Sequence, residues 1–267
     1  KRALAEDLQG GEDITSVATV SGTEKVVADF VSRKSGVVAG IDLARAVLEE
    51  VGLTDIAVLV QDGTSVKAGD VLMTVRGDTR AILLAERTAL NFLGHLSGIA
   101  TLTRTWVDAV AGTKCEIRDT RKTTPGMRLL EKYAVRMGGG TNHRMSLSDA
   151  ALIKDNHIAA AGGVAEAFSK VRAKFPTSEI EIEVDTLDQL REVLPLKPDL
   201  VLLDNMSPAQ CAEAVSIVAG ATKLEASGGI SLENAKAYAA TGVNFLAIGA
   251  LTHSAPVFDI GLDLRAE

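Results

Sequence analysis

Beyond residue 113 the chain alternates short apolar runs with longer amphipathic stretches. Strand-like runs occur at Lys114–Arg118, Ala150–Lys154, Ile180–Val184, Leu200–Leu203, Lys223–Ala226 and Asn244–Ile248. Helical periodicity fills most of the gaps, at Gly163–Lys174, Leu187–Leu194, Pro208–Val218 and Leu232–Ala240. Strands separated by helices of this length require right-handed parallel crossovers, which predicts a (β/α) barrel or an open parallel sheet. A complete eight-unit barrel takes about 250 residues and this half has about 140, so a barrel here is expected to be compact or incomplete, with six strands visible.

The first part of the chain is less regular. Ile41–Val51 carries apolar residues at helical spacing and stops at Gly52. Ala57–Val60, Val66 and Val71–Val75 read as short β pieces around Asp62-Gly63 and Gly69-Asp70, a tight hairpin in a smaller structural domain. Arg80–Val110 is helical, with Gly94 and Gly98 expected to divide or kink it. Arg87 lies on this helix, where local sequence marks it only as a solvated surface charge.

Length and composition narrow the possibilities. The 267 residues can bury one large α/β core, or a modest barrel with a small companion domain. The only cysteines, Cys115 and Cys211, are far apart and suggest neither a disulfide framework nor a zinc site, which fits a reducing cytoplasm. No apolar run reaches the ~20 residues of a membrane span, and the opening Lys1-Arg-Ala-Leu-Ala-Glu-Asp does not read as a secretory signal. A net charge of −7 with few aromatic residues argues against a nucleic-acid partner. Against that acidic background, the window Arg118–Asp155 holds eight cations (Arg118, Arg121, Lys122, Arg128, Lys132, Arg136, Arg144, Lys154) and four acids. A local reversal of sign focuses potential on a small, multiply charged anion.

Polar residues collect at the carboxyl ends of the expected strands, the face on which barrel active sites are built. Arg118-Asp-Thr-Arg-Lys-Thr-Thr-Pro-Gly126 follows the first strand; His143-Arg144 precedes the second, which ends in Lys154-Asp-Asn-His157. Glu183 and Asp185 belong to the third and Asp204-Asn205 end the fourth. The last two run into Ser227-Gly-Gly229 and Gly249-Ala250, where small residues let backbone N–H groups approach a phosphate and Ser231 can cap a helix. Glu183 and Asp204 suit a shared magnesium ion, with ion pairing to Lys154 or Lys223 as the alternative. Arg121, Arg144 and Lys154 outnumber those acids and call for anionic oxygens from a ligand.

Several blocks closely resemble the signatures of the quinolinate phosphoribosyltransferase family. They are Glu86-Arg-Thr-Ala-Leu-Asn-Phe-Leu, Leu96-Ser-Gly-Ile-Ala-Thr101, Asp119-Thr-Arg-Lys-Thr-Thr-Pro-Gly126, Gly138-Gly-Gly-x-Asn-His-Arg144 and Leu152-Ile-Lys-Asp-Asn-His157. Glu181-x-Glu-Val184, Leu203-Asp-Asn-Met206 and Glu225-x-Ser-Gly-Gly-Ile230 continue the match in order. The resemblance implies an α/β fold: an amino-terminal α/β sandwich over 1–98, completed by 252–267, and an incomplete barrel over 99–251. It further implies a cytoplasmic homodimer in which Arg87 reaches the neighbouring subunit's site. The implied reaction converts quinolinate and 5-phosphoribosyl-1-pyrophosphate into nicotinate mononucleotide, carbon dioxide and pyrophosphate, with Mg2+.

The family and the residues then suggest roles. Arg121, Arg144, Lys154 and a borrowed Arg87 would hold the two carboxylates, with His143 as an added donor and Thr120 beside them. Lys122 would face the pyrophosphate, while Ser227, Gly228, Gly229, Ile248, Gly249 and Ala250 would hold the 5-phosphate. Lys154, Glu183 and Asp204 are the expected catalytic groups, with Glu183 and Asp204 on magnesium or the ribose hydroxyls; Lys154 or water would protonate the carbanion left by decarboxylation. His253 is weighed evenly between contact and support, His157 is expected behind the site, and His95 is expected to be structural. Two rivals stand beside this reading: a Schiff-base phosphosugar aldolase using Lys154, and a pyridine-dicarboxylate binding protein without turnover.

Overall fold

The computed structural model describes residues 1–265. Helices α1 (Arg2–Leu8) and α2 (Ile14–Thr19) lead into β1 (Lys25–Ser32), β2 (Gly36–Val37), α3 (Ile41–Glu50), β3 (Asp55–Val58), β4 (Ser65–Val66) and β5 (Val71–Asp78). A single long helix, α4 (Thr79–Ala109), follows. Then come β6 (Glu116–Arg118), α5 (Arg128–Met137), β7 (Ala151–Ile153), α6 (Asp155–Ala161), α7 (Val164–Lys174), β8 (Ile180–Val184), α8 (Leu187–Val193), β9 (Leu200–Asp204), α9 (Pro208–Val218), β10 (Lys223–Ser227), α10 (Leu232–Ala239), β11 (Phe245–Ala247), α11 (Ala250–His253) and β12 (Ile260–Arg265).

The chain divides into two compact units. The smaller comprises Lys1–Arg104, Leu130–Gly139 and Ser254–Glu267; the larger comprises Thr105–Leu129 and Gly140–His253. These divisions lie beside the expected boundaries at 98/99 and 251/252, and α5 is an excursion that the sequence did not reveal. Contacts within the smaller unit explain its placement: His95 Nε2 lies 2.9 Å from Glu131 Oε1, and Tyr133 donates to Asp62 Oδ2 at 2.7 Å.

In the smaller unit an antiparallel sheet runs β12-β1-β5-β3. β1, with its β-branched and aromatic residues, buries Val27, Ala28, Phe30 and Val31 between two neighbours, β5 and β12. Phe30, Leu48, Leu72, Met73, Ile82 and Leu93 join one apolar core. On α4, Ile82, Ala85, Ala89, Leu93, Leu96, Ala100 and Thr103 are all fully buried, a stripe at spacings of three and four. The expected break at Gly94 and Gly98 is absent. A Cβ on Gly98 would stand 2.1 Å from the carbonyl oxygen of Pro256, and one on Gly94 would stand 2.9 Å from that of Phe258. These glycines admit a neighbouring backbone instead of ending the helix.

The larger unit is built on a six-stranded parallel sheet ordered β6-β11-β10-β9-β8-β7, barrel-like and incomplete as the family resemblance implies. Every residue of β8, Ile-Glu-Ile-Glu-Val, is buried. By strand alternation Ile180, Ile182 and Val184 face the helices, which leaves Glu181 and Glu183 for the interior of the barrel. Interior layers of such barrels are ordinarily aliphatic, so glutamates there signal chemistry.

Candidate active site

A cavity of about 680 Å³ opens at the carboxyl ends of the parallel strands. The loop after β6 supplies Thr120, Arg121 and Lys122; the segment before β7 supplies His143 and Arg144; Lys154 follows β7. Glu183 on β8 and Asp204 at the end of β9 form the adjacent wall. Ser227, Gly228 and Gly229 after β10 and Ile248, Gly249, Ala250 and His253 after β11 complete the mouth. Among the expected site residues, Arg87 alone lies outside this lining; it is exposed on α4. His157 is also outside, and its Nδ1 accepts from the Lys154 N–H at 3.0 Å.

Two guanidinium groups dominate the charge. Arg121 is half-buried, has no hydrogen-bond or ion-pair partner among the described residues, and keeps a buried, unsatisfied Nε. Arg144 donates from Nη1 to the Ala150 carbonyl at 2.9 Å, and its Nε is likewise buried and unsatisfied. Burial, and then repulsion from Arg121, hold the Arg144 pKa below the usual guanidinium value. Lys154 is different: its Nζ meets Glu183 Oε2 at 3.0 Å, so the ion pair weighed as an alternative for Glu183 is present. Asp204 Oδ2 accepts from the Asn205 side chain at 2.6 Å.

The opposite side is shaped for close approach. Gly228 has φ +87°, and a Cβ there would stand 2.2 Å from Asn205 Oδ1, so only glycine fits. Ser231 begins α10, with its N–H donating to Asn234 Oδ1 at 2.8 Å. A Cβ on Gly249 would stand 3.0 Å from Lys122 Cδ and 3.2 Å from His253 Nε2, which brings both side chains to this glycine. Thr252 ties the two loops together by donating to the Lys122 carbonyl at 2.8 Å.

Beneath these groups lies a second polar layer. Arg118 Nη1 donates to Glu225 Oε2 at 2.9 Å while its guanidinium stacks 4.2 Å from the Phe245 ring centre. His143 Nδ1 accepts from the Arg144 N–H at 2.7 Å, and Nε2 lies 2.7 Å from Glu181 Oε2. Since a backbone N–H can only donate, Nδ1 is bare and the ring proton sits on Nε2, directed at Glu181. Burial pushes the carboxyl pKa values of Glu181 and Glu225 up to about 7, and for Glu225 the charge of Glu181 adds to the rise. Donor atoms of His143, Glu181 and Glu225 lie within 4.8 Å of one another, yet a protonated Nε2 is no metal ligand. Both ring nitrogens of His143 are thus engaged by the protein, on the wall of the cavity where it was expected to add an N–H donor to a ligand.

Family models decide the lineage of this arrangement. The quinolinate phosphoribosyl transferase C-terminal domain matches residues 99–263, and the N-terminal domain of the same family matches residues 13–97. The chain belongs to the quinolinate phosphoribosyltransferase family. A nicotinate-nucleotide pyrophosphorylase [carboxylating] of Mycobacterium leprae is 54% identical over 99% of this chain and 95% of that protein. A probable enzyme of that name from Bacillus subtilis is 42% identical over 97% of this chain and 90% of its own length. The crystal structure of nicotinate-nucleotide pyrophosphorylase from Ehrlichia chaffeensis superposes with a TM-score of 0.95 at 40% identity, covering 99% of this chain and 96% of that one.

Within this quinolinate phosphoribosyltransferase fold, sequence reasoning overlooked several lining residues. Glu225 reaches the cavity, and Leu152, Leu202, Ile230 and Ala247 supply an apolar wall. The signal for Glu225 was available: it stands two residues before Ser227 and so shares that residue's face of β10. No comparable signal pointed to the aliphatic wall.

Proposed function

We infer that the protein transfers the phosphoribosyl group of 5-phosphoribosyl-1-pyrophosphate to quinolinate with decarboxylation, yielding nicotinate mononucleotide for NAD biosynthesis. The observation that carries this reading is the pair of guanidinium groups of Arg121 and Arg144 on one cavity, each with a buried, unsatisfied Nε. Two guanidinium groups that repel each other and keep buried donors unmet are costly, and a ligand with two adjacent carboxylates removes that cost.

Chemistry follows from the surrounding groups. Arg121 and Arg144 orient the diacid so that its ring nitrogen faces the anomeric carbon, and the aliphatic wall excludes water. Lys122 and the backbone of Gly228–Gly229 and Gly249–Ala250 receive the phosphorylated sugar. The ring nitrogen forms the C1–N bond as pyrophosphate leaves, and the carboxylates of Glu183 and Asp204 favour positive charge developing at C1. The C2 carboxylate then departs as carbon dioxide, its electron pair stabilised by the cationic nitrogen and quenched by a proton, for which Lys154 and water are the donors at hand. Glu183 keeps one oxygen outside its bond to Lys154, and with Asp204 it offers the sparse set of hard oxygens that magnesium accepts. Bound there, the ion would neutralise charge on the departing pyrophosphate.

An ammonium paired to a carboxylate is a poor amine nucleophile, which weighs against the aldolase alternative. Two buried free thiols, Cys115 and Cys211, suit a reducing compartment such as the cytoplasm. A homodimer with Arg87 donated across subunits completes the reading; the exposure of Arg87 is compatible with such a role. Incubation with quinolinate, phosphoribosyl pyrophosphate and magnesium should release carbon dioxide and nicotinate mononucleotide, and nicotinate in place of quinolinate should give none. Absence of turnover in the first mixture refutes the assignment. Arg87→Ala and Arg144→Ala proteins should each be weak and should recover activity when mixed; no recovery refutes shared sites.

A further inference from the structure

The geometry points to Glu181 as a positioning residue that sets the diacid grip through His143: by accepting the Nε2–H it leaves Nδ1 bare to hold the Arg144 backbone. The inference rests on the reading that Arg144 grips the diacid, and it goes beyond that reading to a buried group out of the ligand's reach.

Four observations carry it. His143 is buried and bridges two points, Glu181 Oε2 at 2.7 Å on β8 and the Arg144 N–H at 2.7 Å on the substrate segment. The same segment is anchored a second time by fully buried Asp119, whose Oδ1 accepts from the His143 N–H at 2.8 Å. Glu225 cannot substitute in this arrangement, because Arg118 holds it at Oε2 and its Oε1 stays 3.6 Å from Nε2, beyond hydrogen-bond length. Finally, among the described residues the Arg144 guanidinium makes one hydrogen bond, to Ala150, so the direction of its side chain depends on where its backbone is held.

The tautomer is the crux. With its proton on Nδ1, the imidazole would lose the Arg144 bond and set two N–H donors facing each other across 2.7 Å. A carboxylate at Nε2 selects the productive form, just as groups behind metal-bound histidines fix ring orientation. Removing one partner of a buried polar layer costs stability whatever its role. A purely structural role of Glu181 would therefore lower stability in Glu181→Met without singling out the KM for quinolinate.

The test compares Glu181→Met and Glu181→Gln in the magnesium-loaded enzyme. Glu181→Met should raise KM for quinolinate about tenfold, the factor equivalent to one lost oriented hydrogen bond, and leave KM for phosphoribosyl pyrophosphate within about twofold. Glu181→Gln, whose amide oxygen still accepts, should restore most of the difference. An unchanged quinolinate KM in Glu181→Met, or equal rises in both KM values, overturns the inference. Imidazole 15N spectra of the unaltered enzyme supply a second measurement that needs no variant to fold, with His143→Asn assigning the signal. A bare Nδ1 and a protonated Nε2 support the inference, whereas a proton on Nδ1 overturns it. Arg144→Ala separates the two failures: if it leaves quinolinate KM unchanged, the reading of the grip itself is wrong; if it raises that KM while Glu181→Met does not, only the role of Glu181 falls.

Discussion

Replacing Arg121 by Met should make the ligand-free protein more stable and the diacid weaker. Arg121 forms no hydrogen bond or ion pair with the described residues, and its Nε is buried without an acceptor. A buried donor left unsatisfied costs about 1–3 kcal/mol, and Met fills a similar volume without leaving a cavity. The substitution also removes the repulsion that Arg121 exerts on Arg144, where it is the second-largest cause of the lowered pKa after burial. Part of the side chain remains in contact with solvent, so the low end applies. A gain of about 1 kcal/mol corresponds to a thermal midpoint about 2–4 °C higher for a protein of this size. Binding should move the other way: loss of one charge-assisted Arg–carboxylate interaction, about 1.5–3 kcal/mol, weakens quinolinate about 10- to 100-fold. Scanning calorimetry without ligand measures the first quantity and titration calorimetry with quinolinate the second. A variant less stable than the parent would mean that Arg121 is satisfied by the protein, and undiminished affinity would mean that it does not grip the diacid; either result refutes the reasoning.

Gly228→Ala places a side chain at φ +87° and a Cβ 2.2 Å from Asn205 Oδ1, so stability should fall by about 1–3 kcal/mol. Its KM for phosphoribosyl pyrophosphate should rise more than that for quinolinate in steady-state assays. Burial pushes the Cys115 thiol up to about 12 and the Cys211 thiol up to about 11, so neither should react with iodoacetamide at pH 8 until the protein is denatured, as mass spectrometry would record. The folded-state pKa of Glu225, raised to about 7 from the ordinary 4.5, means that the native state holds the extra proton. The stability from that proton is full below pH 4.5 and is lost as pH rises through about 7. Glu225→Gln, which cannot ionise, should flatten that decline in denaturant titrations run from pH 5 to pH 8.

Much of the larger unit was legible because its code is local. Parallel strands packed between helices and a barrel interior are rich in apolar residues even where, as in β8, glutamates alternate with them, and β8 to β11 were found within a residue or two at either end. Helical periodicity marked the helices after them, α8 and α9, which Thr186 with Gln189 and Ser207 with Gln210 close at their first turns. Polar residues after each strand then located the cavity, because strand ends converge on one face of a parallel barrel.

Other features belong to the tertiary structure. Gly94 and Gly98 read as helix breakers, yet α4 runs unbroken past them because the backbone of Pro256–Phe258 packs where a side chain would stand. Helix α5 could not be assigned to the smaller unit from its own sequence, since Glu131 and Tyr133 find His95 and Asp62 from distant positions. The state of His143 is the sharpest case. A histidine in a cationic segment reads as a donor, but its tautomer depends on a backbone N–H one residue away and a carboxylate 38 positions downstream. Periodicity and strand-end chemistry are properties of neighbours along the chain and survive in the sequence. Hydrogen-bond direction, orphaned guanidinium groups and close backbone approach are properties of neighbours in space, and only folding decides them.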